Sequence, residues 1–230
     1  MCTRFTLHRL EELRHALVDL GVTLPERIRE TYNIALTVRV PVITRRKDVN
    51  SLAPLAFGLL LPPKEPGERP LTLANARSET MLAKPTFRDA VQHRRCLVPA
   101  DGFFEWEKRG RERQPHYFTR RDGAPFFFAG LWREETPVAP PAFVIVTTAP
   151  NELLSPIHDR MPVMLDGARA AEWLGEQPLA PARLDALCAP FPAGAMTSRT
   201  VHPRMNSARH EGPDCIAPWT PPTPERELFD

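Results

Sequence analysis

Proline is the feature that most restricts how this chain can fold. There are 27 prolines among 230 residues, about 12% where roughly 5% is usual. Each one lacks an amide hydrogen and fixes φ, so it interrupts helices and is kept out of central strands. Glycine is sparse at 11, and the two together stay below the roughly 25–30% that marks a disordered chain. The prolines therefore punctuate an ordered chain made of many short elements.

The hydrophobic pattern names those elements. Leu10, Leu13, Leu17 and Leu20 recur at helical spacing and predict an amphipathic helix between Thr6 and Gly21. Val38, Val40 and Val42 alternate with polar residues and predict a strand, placed at a sheet edge by Pro41. Ala53–Leu61 and Leu71–Ala76 are extended candidates, and 87–93 is a short helix. Further strands are expected at Cys96–Val98, Phe103–Glu107, Tyr117–Thr119, Phe126–Phe128 and Met161–Leu165, with Asp122-Gly123 as a hairpin dipeptide. Phe143–Thr148 is a β-branched run of the kind buried on both faces. Ala168–Leu174 and Pro181–Leu187 read as helices, and Thr197–His202 returns to a sheet. No repeat or linker divides the chain. The expected fold is α+β, one domain over residues 2–217 on a mainly antiparallel, barrel-like sheet with several short helices. Residues 218–230 are expected to be a Pro-rich acidic tail.

The formal charge is only +2, so overall electrostatics do not point to nucleic acid. Locally, Lys84 to Arg121 holds ten Lys or Arg against five Asp or Glu, whereas from Glu211 onward five acids face Arg226 alone. That asymmetry fits either an anionic partner or a solvated basic hairpin. Cys2, Cys96, Cys188 and Cys215 show no CxxC and no metal-ligand spacing, so no metal or other cofactor is expected. Reduced thiols in a cytoplasmic setting are the natural reading, and no apolar run approaches the ~20 residues of a membrane span.

Cys2 has a chemistry of its own. Small second residues permit removal of Met1, which would leave a thiol and an α-amine on adjacent carbons. An α-amine titrates near ~7.7–8.0 and a lysine near ~10.4, so the terminal amine is the better nucleophile toward an aldehyde at neutral pH. The neighbouring thiol can then close a thiazolidine at high effective molarity. Position alone also allows Cys2 to be an ordinary residue on a frayed terminus.

Four stretches carry further chemistry: Met1-Cys2-Thr3-Arg4-Phe5, Ala74-Asn75-Ala76-Arg77-Ser78-Glu79-Thr80, Asp101-Gly102-Phe103-Phe104-Glu105-Trp106 and Ile157-His158-Asp159-Arg160-Met161-Pro162. Glu105 alternates onto one face with Phe103, and Phe104 with Trp106 onto the other. A carboxylate among aromatics is desolvated and raised in pKa, suited to proton transfer, though a nearby arginine could equally pair with it. Histidine exchanges protons near neutral pH, and His158 follows a strand and a short connection, at a sheet end. His8, His15, His93, His116 and His210 read as ordinary surface histidines. In this order the four stretches closely resemble the SRAP (SOS-response-associated peptidase) family of abasic-site-processing proteins, from Cys2 to about Pro218.

The resemblance implies a DNA-repair protein that binds single-stranded DNA containing an abasic site. The processed Cys2 would form a thiazolidine with the ring-opened deoxyribose aldehyde, after autocatalytic loss of Met1. Asn75 is then expected beside Cys2, positioning sugar or amine, with Glu105 moving protons during ring opening and His158 assisting the Schiff base. Arg4 and Arg77 become phosphate contacts, with Thr147 or Thr148 adding a hydroxyl, and His202 sits near the site. The sequence departs from the family pattern at Thr3, where glycine is usual, at Leu36, and at Phe57-Gly58-Leu59-Leu60-Leu61-Pro62, where the family shows two tryptophans. Phe57 is expected to stack on a base there. The implied setting is a nucleoid-associated cytoplasmic monomer, with association with replication forks. Two other activities stay open: an N-terminal-nucleophile cysteine hydrolase or peptidase, and a non-catalytic single-stranded-DNA-binding module.

Overall fold

The computed structural model describes residues 2–63, 65, 67–110 and 112–220, and its centre is the fully buried run Ala142–Thr148. In chain order the elements are β1 (Phe5–Leu7), α1 (Leu10–Val18), β2 (Thr31–Ile34), β3 (Arg39–Arg46), β4 (Val49–Phe57), β5 (Leu59–Leu61), β6 (Leu71–Leu73) and β7 (Asn75–Arg77). Then come α2 (Pro85–His93), β8 (Arg95–Ala100), β9 (Gly102–Arg109), β10 (Glu112–Arg120), β11 (Phe126–Arg133) and β12 (Ala142–Thr148). The chain finishes with β13 (Met161–Pro162), β14 (Met164–Leu165), α3 (Gly167–Leu174), α4 (Pro181–Leu187) and β15 (Met196–Thr200), followed by 3₁₀ turns at Pro203–Asn206 and Pro213–Ile216.

The strands form two main sheets. In the larger, the order β12-β4-β3-β8-β11 closes on itself because β11 also pairs with β12, giving the expected barrel-like ring. Pairing is mainly antiparallel, but β12 runs parallel to both β4 and β7. The second sheet has the order β15-β10-β9-β1-β2. The chain crosses from ring to second sheet between β8 and β9, at Asp101. Pro41 lies opposite Pro54 in the β3–β4 register, while β8 pairs with β3 only at Ile43 and Thr44, so the proline sits on the stretch of β3 that β8 leaves uncovered.

The helix predicted from Thr6 begins instead at Leu10. Phe5 and Thr6 pair with Phe103 and Gly102 of β9, and Phe5 also with Ile34 of β2. The Asp101 carboxylate then accepts the amide hydrogens of His8 (2.5 Å) and Arg9 (2.7 Å), ending the strand and capping the start of α1. Leu13 and Leu17 bury the inner face of that helix.

Aromatic rings join the two sheets. Phe5 meets Phe57 and Phe128 edge-on, both at 5.6 Å, and Phe57 stacks on Phe143 at 5.2 Å. Phe103 stacks on Phe118 at 5.2 Å. A smaller cluster of Phe104, Tyr117, Val201, Met205 and Cys215 fills the other side of β9 and β10, with Trp106 packed against it. Pro218 and Trp219 stay attached to the domain: the Trp219 amide donates to Thr200 O (3.0 Å), and Thr200 Oγ1 donates to Trp219 O (2.6 Å). Residues 221–230 of the expected tail lie outside the described residues. No helix is long and apolar enough to cross a membrane among the described residues.

Candidate active site

Cys2 precedes the first strand of the second sheet and is wholly buried. Its carbonyl accepts a hydrogen bond from Asn75 Nδ2 at 3.0 Å. Asn75 is placed there because β7 runs beside β12, with Asn75 in register with Ile145. The same Nδ2 lies 3.4 Å from Ile145 O, and Asn75 Oδ1 is buried without a hydrogen-bond partner among the described residues. Burial pushes the Cys2 thiol well above its ordinary value, and the nearby Glu105 carboxylate adds to the effect.

Glu105 lies on β9 at 1% exposure. Desolvation raises its carboxyl to about 7, with Asp159 contributing in the same direction. The alternation of β9 and its aromatic neighbours had predicted this environment. No arginine bridge to Glu105 is found among the described residues; His158 Nε2 stands 3.8 Å from Glu105 Oε2.

His158 lies beyond β12 on a turn organised by Asn151, whose Oδ1 accepts the Leu154 amide (3.0 Å) and whose Nδ2 donates to Phe191 O (2.7 Å). The Arg160 amide donates to His158 Nδ1 at 3.0 Å. That bond occupies the Nδ1 lone pair and so places the proton of a neutral ring on Nε2, toward Glu105. The exposed Asp159 carboxylate also lies 3.1 Å from Nδ1. Burial holds the imidazole below its ordinary pKa. The 3.8 Å Glu105–His158 separation exceeds a hydrogen bond and leaves the pair to meet through a small shift or through a bound group.

Glu105 and His158 open onto a cleft of about 470 Å³, lined also by Thr3, Arg4, Trp106, Lys108, Arg113 and Asn206. Arg4 lines it but is tied to the protein, donating to Asn33 Oδ1 (2.7 Å), Met205 O (3.1 Å) and Asn206 O (3.1 Å). Arg77 is exposed at the end of β7, two residues beyond Asn75, with no ion-pair partner among the described residues. His202 Nδ1 accepts the Arg204 amide and its ring packs on Trp219.

Two expected DNA contacts are corrected. Phe57 is wholly buried between Phe5 and Phe143, so neither face of its ring is open to a base. Thr147 is also fully buried, with Oγ1 toward Ala76 O at 3.5 Å. Thr148 is buried as well. The aromatic that lines the cleft is Trp106, its indole N–H donating to Asn206 Oδ1 at 2.7 Å.

Sequence reasoning missed three supports. Arg160 grips Glu79 with two bonds (2.7 and 2.9 Å) and donates to Thr147 O (2.6 Å), fixing the His158 turn against β12. The HDR triplet was a visible signal for it. Asp101 is buried and accepts from Thr6 Oγ1 (2.5 Å) as well as from two amides. His8, expected at the surface, packs on Tyr32 and contacts Asp101 through Nδ1 at 2.8 Å. Burial opposes ionisation of Asp101, but these partners outweigh it and hold the carboxyl below its ordinary range. A cluster that spacing also hid is His210, Asp214 and Cys215, whose ligand atoms lie within 4.8 Å of one another.

Residues 1–208 match the family described as SOS response associated peptidase (SRAP). Abasic site processing protein YoqW of Bacillus subtilis (strain 168) is 34% identical over 221 residues, spanning 94% of this chain and 99% of that protein. YedK of Escherichia coli (strain K12), of the same description, is 31% identical over 229 residues, spanning 95% and 100%. HMCES of Gallus gallus, also an abasic site processing protein, is 30% identical, spanning 84% of this chain and 67% of that one. A crystal structure from Bacteroides thetaiotaomicron superposes with a TM-score of 0.73 at 23% identity, covering 95% of this chain and all of that one, a likeness of fold. The family match over most of the chain and the similarity to these relatives agree: the chain belongs to the SOS response associated peptidase (SRAP) family.

Proposed function

We propose that this protein processes abasic sites in single-stranded DNA by forming a covalent thiazolidine crosslink through Cys2. The observation that carries the reading is the placement of Cys2: Asn75 holds its carbonyl, beside the buried Glu105 carboxyl and the partly exposed His158 imidazole, which open onto a cleft. The names of the relatives supply the lesion, and the chemistry of an N-terminal cysteine suits the aldehyde that an abasic deoxyribose presents once its ring opens.

Hydrolysis of the Met1–Cys2 bond frees the α-amine. Glu105, protonated below about pH 7, gives a proton to the ring oxygen of the sugar as the hemiacetal opens. The amine adds to C1′, and loss of water leaves an imine. The Cys2 sulfur then adds to the imine carbon while the nitrogen takes up the thiol proton, closing the five-membered ring. His158, with its proton on Nε2, serves the dehydration step. Asn75 Oδ1 is an acceptor for the freed ammonium or for a sugar hydroxyl. Arg77 meets a phosphate, and Arg4 keeps N–H groups for a second one beyond its three protein contacts.

The test is incubation with an oligonucleotide carrying a single abasic site, read by denaturing electrophoresis, with intact mass reporting the state of Met1. A denaturant-stable adduct that Cys2→Ala abolishes is expected. Protein lacking Met1 that forms no adduct overturns the reading. Cys2→Ser tests the hydrolase activity, since a hydroxyl can attack an amide but cannot close a thiazolidine.

A further inference from the structure

We propose that Lys108 and Arg113, on the β9–β10 hairpin, form a phosphate subsite for the strand flanking the lesion; the inference rests on reading the cleft as a single-stranded DNA site. The two are direct cross-strand partners in the antiparallel register. Like charges placed opposite each other destabilise a sheet, so this pair costs stability unless an anion sits between them. Two neighbouring arginines are already neutralised. Arg109 pairs with Glu107 at 2.9 Å, and Arg120 pairs with Asp122 and Asp166 at 2.7 and 2.6 Å. Lys108 and Arg113 have no carboxylate partner among the described residues, and both line the cleft.

The surface beneath them is held in place. Alternation along β9 puts Phe104, Trp106 and Lys108 on one face, opposite Tyr117, Pro115 and Arg113 of β10. Asn206 bridges the strands, accepting from the Trp106 indole (2.7 Å) and donating to Arg113 O (3.2 Å). Two cations beside an aromatic face, continuous with the reacting pair, are the elements of a groove that tracks single strands. Lys108 adds a small share, far behind burial, to what opposes protonation of His158. Among the described cations of the basic middle, Lys108 and Arg113 are the two that line the cleft.

The experiment measures fluorescence anisotropy of a single-stranded oligonucleotide bearing a tetrahydrofuran abasic analogue, which has no aldehyde, across a salt series. Each phosphate contact on a single strand contributes about 0.7 to the log–log salt slope. Lys108→Gln/Arg113→Gln, which empties a subsite for one phosphate, is expected to flatten the slope by about 0.7. From equal affinity at 1 M salt, that corresponds to roughly an 8-fold weaker complex at 0.05 M. Arg46→Ala/Arg183→Ala removes the same charge from residues paired to Glu134 and Glu172 outside the cleft, and is expected to keep the wild-type slope. An unchanged slope in the hairpin variant, or an equal loss in the control, overturns the inference. Failure of the wild type to crosslink an aldehyde-bearing strand while it binds the analogue would instead count against the covalent reading.

Discussion

Replacing Glu105 with glutamine should make the protein more stable and less active at the same time. The native carboxyl titrates near about 7 against an ordinary 4.5. Between those values the folded state holds a proton that the unfolded chain has released. Wild-type stability therefore falls as pH rises through that window, and the loss is complete above about 7. At about 1.36 kcal/mol per unit, the full penalty is roughly 3 kcal/mol, most of which develops between pH 5 and 8. Glutamine has no proton to lose and escapes it. Its amide adds a packing and hydrogen-bonding offset that does not vary with pH, so the diagnostic is the change in the difference between the two proteins. Urea denaturation at pH 5 and pH 8 measures it, with Glu105→Gln gaining roughly 2–3 kcal/mol relative to wild type between the two conditions. A difference that stays constant with pH would refute the claim that Glu105 is a desolvated, late-titrating carboxyl. Crosslinking by the same variant should fall by roughly 10²–10⁴, the usual weight of a general acid. In the wild type, the acid form of Glu105 fades above about 7 while the amine becomes neutral toward ~7.7–8.0. The crosslinking rate should therefore pass through a maximum between the two.

Gly102 packs against the Tyr117 ring so closely that an added Cβ would lie 2.2 Å from its hydroxyl oxygen. That hydroxyl is bonded to Thr6 at 2.8 Å and cannot easily move. Gly102→Ala should lose about 3 kcal/mol or more in a denaturant titration, and β1 should lose its seat on β9. Asp101→Asn should cost about 3 kcal/mol at neutral pH through weakened charge-assisted hydrogen bonds. Because the Asp101 carboxyl is held below its ordinary range, its contribution is present at neutral pH and disappears as pH falls through its folded pKa. The gap between the two proteins should narrow in an acid titration. Phe57→Ala should lower stability by about 3–5 kcal/mol as a core truncation, a loss read in the unfolding transition and not in the salt slope of DNA binding.

The local pattern revealed most of the strands, since alternation and β-branched runs depend on near neighbours. Phe143–Thr148 was legible as a doubly buried strand for that reason. Glu105 was legible too, because its aromatic flanks are adjacent in sequence. What escaped depends on distant partners. Thr6 and Leu7 run directly into the helical leucine spacing, and pairing with β2 and β9 makes Phe5–Leu7 a strand. Asp101 looks like a turn residue until Thr6, His8 and Arg9 are seen around it. Phe57 occupies a position that suggests contact with bases, but Phe5 and Phe143, more than fifty residues away on either side, enclose it. Pairing across sheets sets such environments, and one-dimensional periodicity carries no trace of it.

The geometry also bears on the order of events in the proposed chemistry. A wholly buried thiol with its pKa pushed well upward by desolvation and by Glu105 holds little thiolate at neutral pH. Sulfur therefore makes a poor first nucleophile here, whereas an α-amine is partly neutral at the same pH. Attack by nitrogen comes first and, after loss of water, leaves an imine carbon within reach of sulfur on the adjacent carbon. Ring closure then needs no separate ionisation of the thiol, because the imine nitrogen takes up the thiol proton as sulfur adds. The same burial protects Cys2 between encounters: alkylation and oxidation both require exposed thiolate. In the proposed chemistry Glu105 thus acts twice: its acid form supplies the proton that opens the sugar, and the carboxylate left behind helps to keep the sulfur protonated until the imine is in place.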